Sequence, residues 1–366
     1  MSVEFNLYKS SNGSEIGVAT LNNPKNLNSV SLEMIKSLNS KLLEWQEDTS
    51  IATVIIDAEG EKAFCAGGDI VRLYEGIKDR DGYPEIFFEN EYRLDYLIHT
   101  FKKPVVIWGD GIVMGGGMGI MQGGDLRIAT ERTMMAMPEV TIGLYPDVGA
   151  SYFLKNCPGK TGFYLALTGA RVNGSEAVWL DFADHFIKSS FKADFYQAMQ
   201  KLNYANDFEK DKGLLVELAQ TFSERSSDAR LENNLKREQD FIDEIASCLS
   251  PQEFEAKSKS FEALSPWAAR GIKTFSKGSP TSVGIIFEQF QRAKKLSLKE
   301  AFQMEWIISV QCCRHPDFKE GVRALLIDKD NQAKWTPSYI GDLQSEWIAG
   351  HFVLPEGFDL NPLEDL

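Results

Sequence analysis

Histidine is scarce in this chain. The 366 residues hold four, His99, His185, His315 and His351, and no two are spaced like metal ligands. The five cysteines, Cys65, Cys157, Cys248, Cys312 and Cys313, include no C-x-x-C pair, so neither a zinc site nor a disulfide framework is indicated. Long apolar runs are missing, and with them any membrane-spanning helix. Positive charge is short, 39 Lys and Arg against 53 Asp and Glu, for a net charge of −14. That disfavours nucleic acid, whose phosphates need a basic face. It leaves room for a small anion, which needs only a local patch or backbone donors. The opening MSVEFNLYKS lacks both the basic and apolar regions of a signal peptide and the Arg-rich character of a transit peptide, so a cytoplasmic location is expected. No G-x-S-x-G elbow occurs, and no G-x-G-x-x-G can be drawn through residues 109–119. PGKT (Pro158–Thr161) has Leu154 where a P-loop requires Gly. Catalysis here would rest on carboxylates or backbone, with no metal and no further cofactor.

What is present reads as an α/β protein of ordinary composition, 43% hydrophobic and 25% charged. EIGVATL (15–21), TVIIDAEG (53–60), PVVIWGDG (104–111) and LRIAT (126–130) read as strands. Between them, 31–46 and 85–101 carry apolar residues at helical spacing, with Ser29 or Ser31 able to cap the first. Apolar strands alternating with helices predict parallel sheet units. From about residue 160 nearly every segment reads as helix, including 160–169, 174–181, 190–203, 230–246, 281–295 and 298–313. The change in character divides the chain into 1–190 and 191–366.

Three segments could carry chemistry. In FCAGGDIVRLYEG (64–76), Gly67 and Gly68 permit close backbone approach, and Asp69 fits the N-cap of the helix that follows. GDGIVMGGGMG (109–119) follows a buried strand and opens a helix, where backbone N–H groups are free for a ligand. Two glycine clusters, each after a strand, suggest a two-donor oxyanion hole. In AMPEVTIGLYPDVGASYFL (136–154), Pro138, Gly143 and Pro146 break the segment, so the chain can fold back and bring Glu139 and Asp147 together. The plainer readings are a solvated loop acid for Glu139 and an N-cap of a helix over 148–156 for Asp147. Glu91, inside the apolar helix 85–101, reads first as a surface acid. Cys65 reads as a small buried thiol.

With NNPKNLNSVS (22–31), KAFCAGGDI (62–70), GDGIVMGGGMGI (109–120) and MPEVTIGLYPDVGASYFL (137–154) in order, the chain resembles the crotonase, or enoyl-CoA hydratase/isomerase, superfamily. LALTGARVNGSEAVWLDFADHF (165–186), SPTSV (279–283) and HPDFKEGVRALLIDKDNQAKWTP (315–337) extend the likeness to its branch that hydrolyses 3-hydroxyisobutyryl-CoA, a step of valine breakdown. The resemblance implies a crotonase-like spiral of ββα units followed by a helical C-terminal region, which would close the pocket and serve oligomer contacts. It implies an acyl-CoA substrate and a trimer or hexamer. Family oxyanion donors map onto Gly68 and Gly116. Glu139 and Asp147 match the catalytic pair of the hydrolases, and Glu91 matches a further substrate-contacting acid. Lys25, Lys62 and Ala66 fall in segments that contact CoA. Superfamily hydratases carry a second glutamate where this chain has Gly119, which argues against two-carboxylate hydration. Isomerisation by Glu139 alone stays open, as does a silent acyl-CoA-binding protein. For hydrolysis, Glu139 either attacks the thioester or activates water, with Asp147 orienting water or the substrate hydroxyl.

Overall fold

The computed structural model describes residues 2–261 and 263–366. Its ten strands are β1 (Ser2–Lys9), β2 (Glu15–Asn22), β3 (Ile51–Ala58), β4 (Ala63–Cys65), β5 (Val105–Gly109), β6 (Ile112–Met114), β7 (Leu126–Ala129), β8 (Met134–Ala136), β9 (Val172–Asn173) and β10 (His185–Phe186). They form a six-stranded sheet in the order β1-β2-β3-β5-β7-β10 and a four-stranded sheet in the order β4-β6-β8-β9. Successive turns of chain therefore place one strand in each sheet: β3 then β4, β5 then β6, β7 then β8. This is the expected spiral. From β2 to β10 every pairing in the larger sheet is parallel, and its central strands are buried on both faces, as parallel sheets require. The hairpin β1–β2 is antiparallel. From Asn234 onward every regular element among the described residues is helical.

By contact the chain separates into two units. One comprises Met1–Gly68, Leu94–Met135 and Val172–Asn233, and the other Asp69–Arg93, Ala136–Arg171 and Asn234–Leu366. They interleave along the chain, whereas the change near residue 190 is one of composition. In the first unit the two faces of β2 diverge, since alternate residues point oppositely. Ile16 and Val18 join Trp108, Ile128, Phe195 and Phe222 in one buried cluster, bringing in the helices Lys192–Met199 and Phe208–Glu224. Gly17 faces the other way, against the Trp45 ring of the helix Leu32–Glu47, which Ser31 caps through the Met34 N–H.

The loops before this helix and around β4 are clasped by one residue. Asn28 is buried with φ +54°, a conformation Asn tolerates better than most. Its amide donates to Glu59 O at 2.9 Å and Ala63 O at 2.8 Å, and its Oδ1 accepts from the Asn23 N–H at 2.8 Å. Asn28→Asp replaces both donors with an acceptor. The orphaned, buried Ala63 carbonyl costs about 1–3 kcal/mol and the part-buried Glu59 carbonyl less, so the variant should unfold about 2–4 kcal/mol more easily in urea. A loss under about 1 kcal/mol would show that the clasp is not needed.

Candidate active site

In the first unit the two glycine segments lie side by side. Gly67 has φ +110°, and a Cβ there would meet Met114 O at 3.4 Å and Gly116 N at 3.7 Å. Gly117 is closer still, its hypothetical Cβ 2.9 Å from that of Cys65. Small residues thus let the 65–68 loop rest against the start of the helix Gly116–Gln122. The loop is held from its far side by Ala66 N–H to Leu27 O and Val30 N–H to Gly67 O. Among the described residues neither the Gly68 nor the Gly116 N–H meets a protein acceptor. Both donors suit an oxygen that gains negative charge. Lys25 and Lys62 are exposed on the two loops that Asn28 joins; Ala66 is half-buried and its N–H is already used.

The acids belong to the second unit. Glu91, Glu139 and Asp147 are only 5%, 5% and 4% exposed. Glu91 lies on the helix Tyr83–His99. Glu139 opens a single 3-10 turn, Glu139–Ile142, that ends at Gly143 with φ +74°. Asp147 follows Pro146, and its Oδ2 accepts from the Tyr92 hydroxyl at 2.6 Å. The turn at Glu139 is braced from behind by the C-terminal motifs. Ser279, which caps the helix Pro280–Ala293, donates its N–H to Val140 O and its hydroxyl to Asp317 at 2.6 Å. Asp317 also accepts from the Thr336 N–H at 2.7 Å. Gly321 lets the helix Pro316–Val322 approach Ile142, where a Cβ would lie 2.6 Å from the Ile142 Cα.

Burial dominates the electrostatics. It pushes Glu139 and Glu91 well above the ordinary carboxylate range, and the charge of Asp147 pushes both further. Asp147 rises to about 6, because burial outweighs the Tyr92 hydrogen bond that opposes it. Glu139 Oε2 is buried with no protein partner. Asp147, with a hydroxyl donating to it, is therefore the member that ionises first, while Glu91 and Glu139 hold protons longer. A group whose folded pKa is raised binds more protons folded than unfolded, so stability falls as pH rises from its unfolded to its folded pKa. For Asp147 that window runs from 3.8 to about 6. Tyr92→Phe removes the larger of the two hydrogen bonds that hold Asp147 down. The fall in urea-derived stability should become larger and extend past the wild-type limit; a shallower fall would contradict this assignment.

Glu139, Asp147 and Glu91 are thus all buried and within reach of one another's charge, and all three plainer readings are corrected. Glu139 is not solvated and Glu91 is not on the surface. Asp147 does not cap a helix over 148–156, because Val148 and Gly149 take left-handed conformations and the helix starts at Ala150 with Gly149 as its N-cap. Asp69 does cap its helix, accepting from the Arg72 N–H. Four residues escaped sequence reasoning: Tyr92, Tyr145, Glu305 and Ser309. Tyr92 and Tyr145 both reach Ser309 Oγ, at 2.7 and 3.0 Å. The available signal was an acid set among Phe302, Trp306 and Ile308, with a serine four residues on. Among the described residues no group of three or more His, Cys, Asp or Glu could hold a metal ion. No described helix is long and apolar enough to cross a membrane.

Known proteins match this arrangement along most of its length. The 3-hydroxyisobutyryl-CoA hydrolase, mitochondrial, of Danio rerio is 39% identical over 333 residues, covering 91% of this chain and 85% of that protein. Its namesake from Xenopus tropicalis is 39% identical over 345 residues, covering 94% and 88%. A solved carnitinyl-CoA dehydratase from Mycobacterium thermoresistibile aligns with a TM-score of 0.84 at 30% identity, over 96% of this chain and 97% of that one. The relatives overturn the cytoplasmic expectation, since both are named as mitochondrial. Ten residues of composition were too little to assign a compartment. Residues 16–352 match the family described as enoyl-CoA hydratase/isomerase, and the chain belongs to that family.

Proposed function

We propose that this protein hydrolyses 3-hydroxyisobutyryl-CoA to 3-hydroxyisobutyrate and free CoA, a step of valine breakdown. The observation that carries the reading is the buried acid cluster: Glu139 and Asp147 occur together, with Glu91 beside them, while the position of a second hydratase glutamate is Gly119, inside the helix Gly116–Gln122. The relatives named for this hydrolysis support it.

The reading assigns a role to each group. The Gly68 and Gly116 N–H groups polarise the thioester carbonyl and stabilise the oxyanion that forms there. Glu139 supplies the attacking oxygen, either its own, giving an anhydride that water then opens, or that of a water it deprotonates. Both routes need Glu139 ionised, and its burial beside Asp147 opposes that. Activity should therefore rise with pH along a limb above the ordinary glutamate value. Asp147 orients the water or the substrate hydroxyl, Glu91 contacts the acyl end, and the thiolate leaves as CoA after protonation. Lys25, Lys62 and the Ala66 segment are assigned to the CoA moiety. CoA is part of the substrate and a product, and no other cofactor is invoked. Assembly as a trimer or hexamer belongs to the same reading; light scattering that returns a monomer would remove it.

A second reading, double-bond isomerisation or hydration by Glu139 alone, is favoured by the dehydratase name of the solved relative. A two-channel assay separates them. Thiol release from (S)-3-hydroxyisobutyryl-CoA, with little loss of enoyl absorbance from crotonyl-CoA, is expected; the reverse pattern would replace the hydrolase reading. Glu139→Gln should lose about 10²–10⁴ in kcat, the usual contribution of a general acid–base group, while still binding acyl-CoA. Full activity in that variant would sink the assignment of Glu139.

A further inference from the structure

The turn that carries Asp147 is held against its own backbone preferences. Val148 has φ +54° and Gly149 has φ +87°. A β-branched residue in the left-handed region is a genuine outlier, and such strain persists only where the surroundings over-determine the conformation.

The groups that hold it come from two helices. On the helix Leu298–Arg314, fully buried Glu305 accepts the Gly149 N–H on one carboxylate oxygen at 2.7 Å and the Ser151 N–H on the other at 2.8 Å. On the helix Pro280–Ala293, buried Gln289 donates to Pro146 O at 2.7 Å and to Ser151 Oγ at 2.8 Å. Ser309 lies one helical turn beyond Glu305, on the same face. Its hydroxyl meets those of Tyr92 and Tyr145, and Tyr145 in turn donates to the Glu305 carbonyl at 2.7 Å. One helix face thus grips the Asp147 turn by its backbone through Glu305 and the Asp147 side chain through Ser309 and Tyr92. A buried acid is costly unless its oxygens are hydrogen-bonded; both oxygens of Glu305 are, and both to this turn.

We propose that Glu305 is a positioning residue: by bridging the Gly149 and Ser151 N–H groups it holds the strained 147–149 turn and so fixes the Asp147 carboxylate on the Tyr92 hydroxyl. The inference rests on the hydrolase reading only for what Asp147 then does. Glu305→Gln keeps the size but offers a single acceptor, and its NH₂ confronts one of the two N–H groups. Glu305→Asp keeps both acceptors on a shorter arm.

The test compares wild type with both variants by amide hydrogen exchange and by thiol-release kinetics. In Glu305→Gln, exchange across residues 146–153 should quicken about tenfold or more, with other helices of the unit within about twofold, because local opening is selective. Misplacing a reacting group by about an ångström can cost about 10²-fold, so kcat should fall about 10–100-fold with KM within about threefold. Glu305→Asp should recover part of both. Unchanged exchange across 146–153 overturns the proposal, and so does acceleration spread evenly over the chain, which a merely structural acid would produce. If Glu305→Gln does not fold, Glu305→Asp is compared with wild type alone: a smaller acceleration confined to 146–153 is expected, and unchanged or evenly spread exchange overturns the proposal. A wild-type protein that releases no thiol removes the hydrolase reading, and the exchange result still decides the bridge. Wild-type thiol release together with full kcat in Glu305→Gln removes the positioning role.

Discussion

The hydrogen bond from Tyr92 to Asp147 is the interaction on which the proposed chemistry turns. Glu91, Glu139 and Asp147 are buried, and none takes part in an ion pair among the described residues. Burial alone would leave all three protonated and interchangeable. The Tyr92 hydroxyl breaks that equality by donating to one of them. Asp147 ionises first, and its charge then opposes ionisation of Glu139 and Glu91. Pairs of groups with separated proton affinities are what acid–base chemistry needs. Here the separation depends on one hydroxyl reaching one carboxylate from 55 residues away.

Holding that contact engages much of the second unit. Asp147 stands on a strained turn, so its position is set by partners rather than by local preference. Glu139 stands on a single 3-10 turn, too short to be stable by itself. Its support comes from Ser279, Asp317 and Gly321, which belong to the very motifs that marked the second half of the sequence, SPTSV and HPDFKEGV. Those residues touch no reacting atom in the proposed chemistry. Their shared role is to let helices approach the Glu139 turn and to tie off its Val140 carbonyl.

Legibility in the sequence followed the range of the interactions. Elements set by local pattern were readable. The run TVIIDAEG lies over β3, apolar spacing in 31–46 marks the helix Leu32–Glu47, and Ser31 and Asp69 cap as their positions suggest. Strand β1 went unread, because its alternation is weak and its outer residues are exposed. The site failed the same test in the other direction. P-D-V-G is a good local cap signal, yet contacts 154 and 156 residues away pull Val148 and Gly149 out of the helix. Glu139 and Glu91 looked solvated because an acid alone in sequence gives no sign of what will cover it. Glu305 was invisible as a site residue for the same reason.

The family fold by itself does not choose a reaction, since one scaffold hosts hydration, isomerisation and hydrolysis. What discriminates is which acids line the site. A Gly at position 119 leaves the helix Gly116–Gln122 with backbone donors and no carboxylate, so in the proposed reaction it can stabilise charge but cannot deliver a proton. In that reaction the proton-carrying groups are Glu91, Glu139 and Asp147. A thioester suits such a set of groups. Its carbonyl needs two N–H donors as the tetrahedral oxyanion forms, and its attacking oxygen needs one base that a neighbouring charge has tuned. Addition of water across a carbon–carbon double bond makes a different demand, a base and an acid set on the same water, and with Gly119 the chain does not provide that pair in the superfamily's usual places.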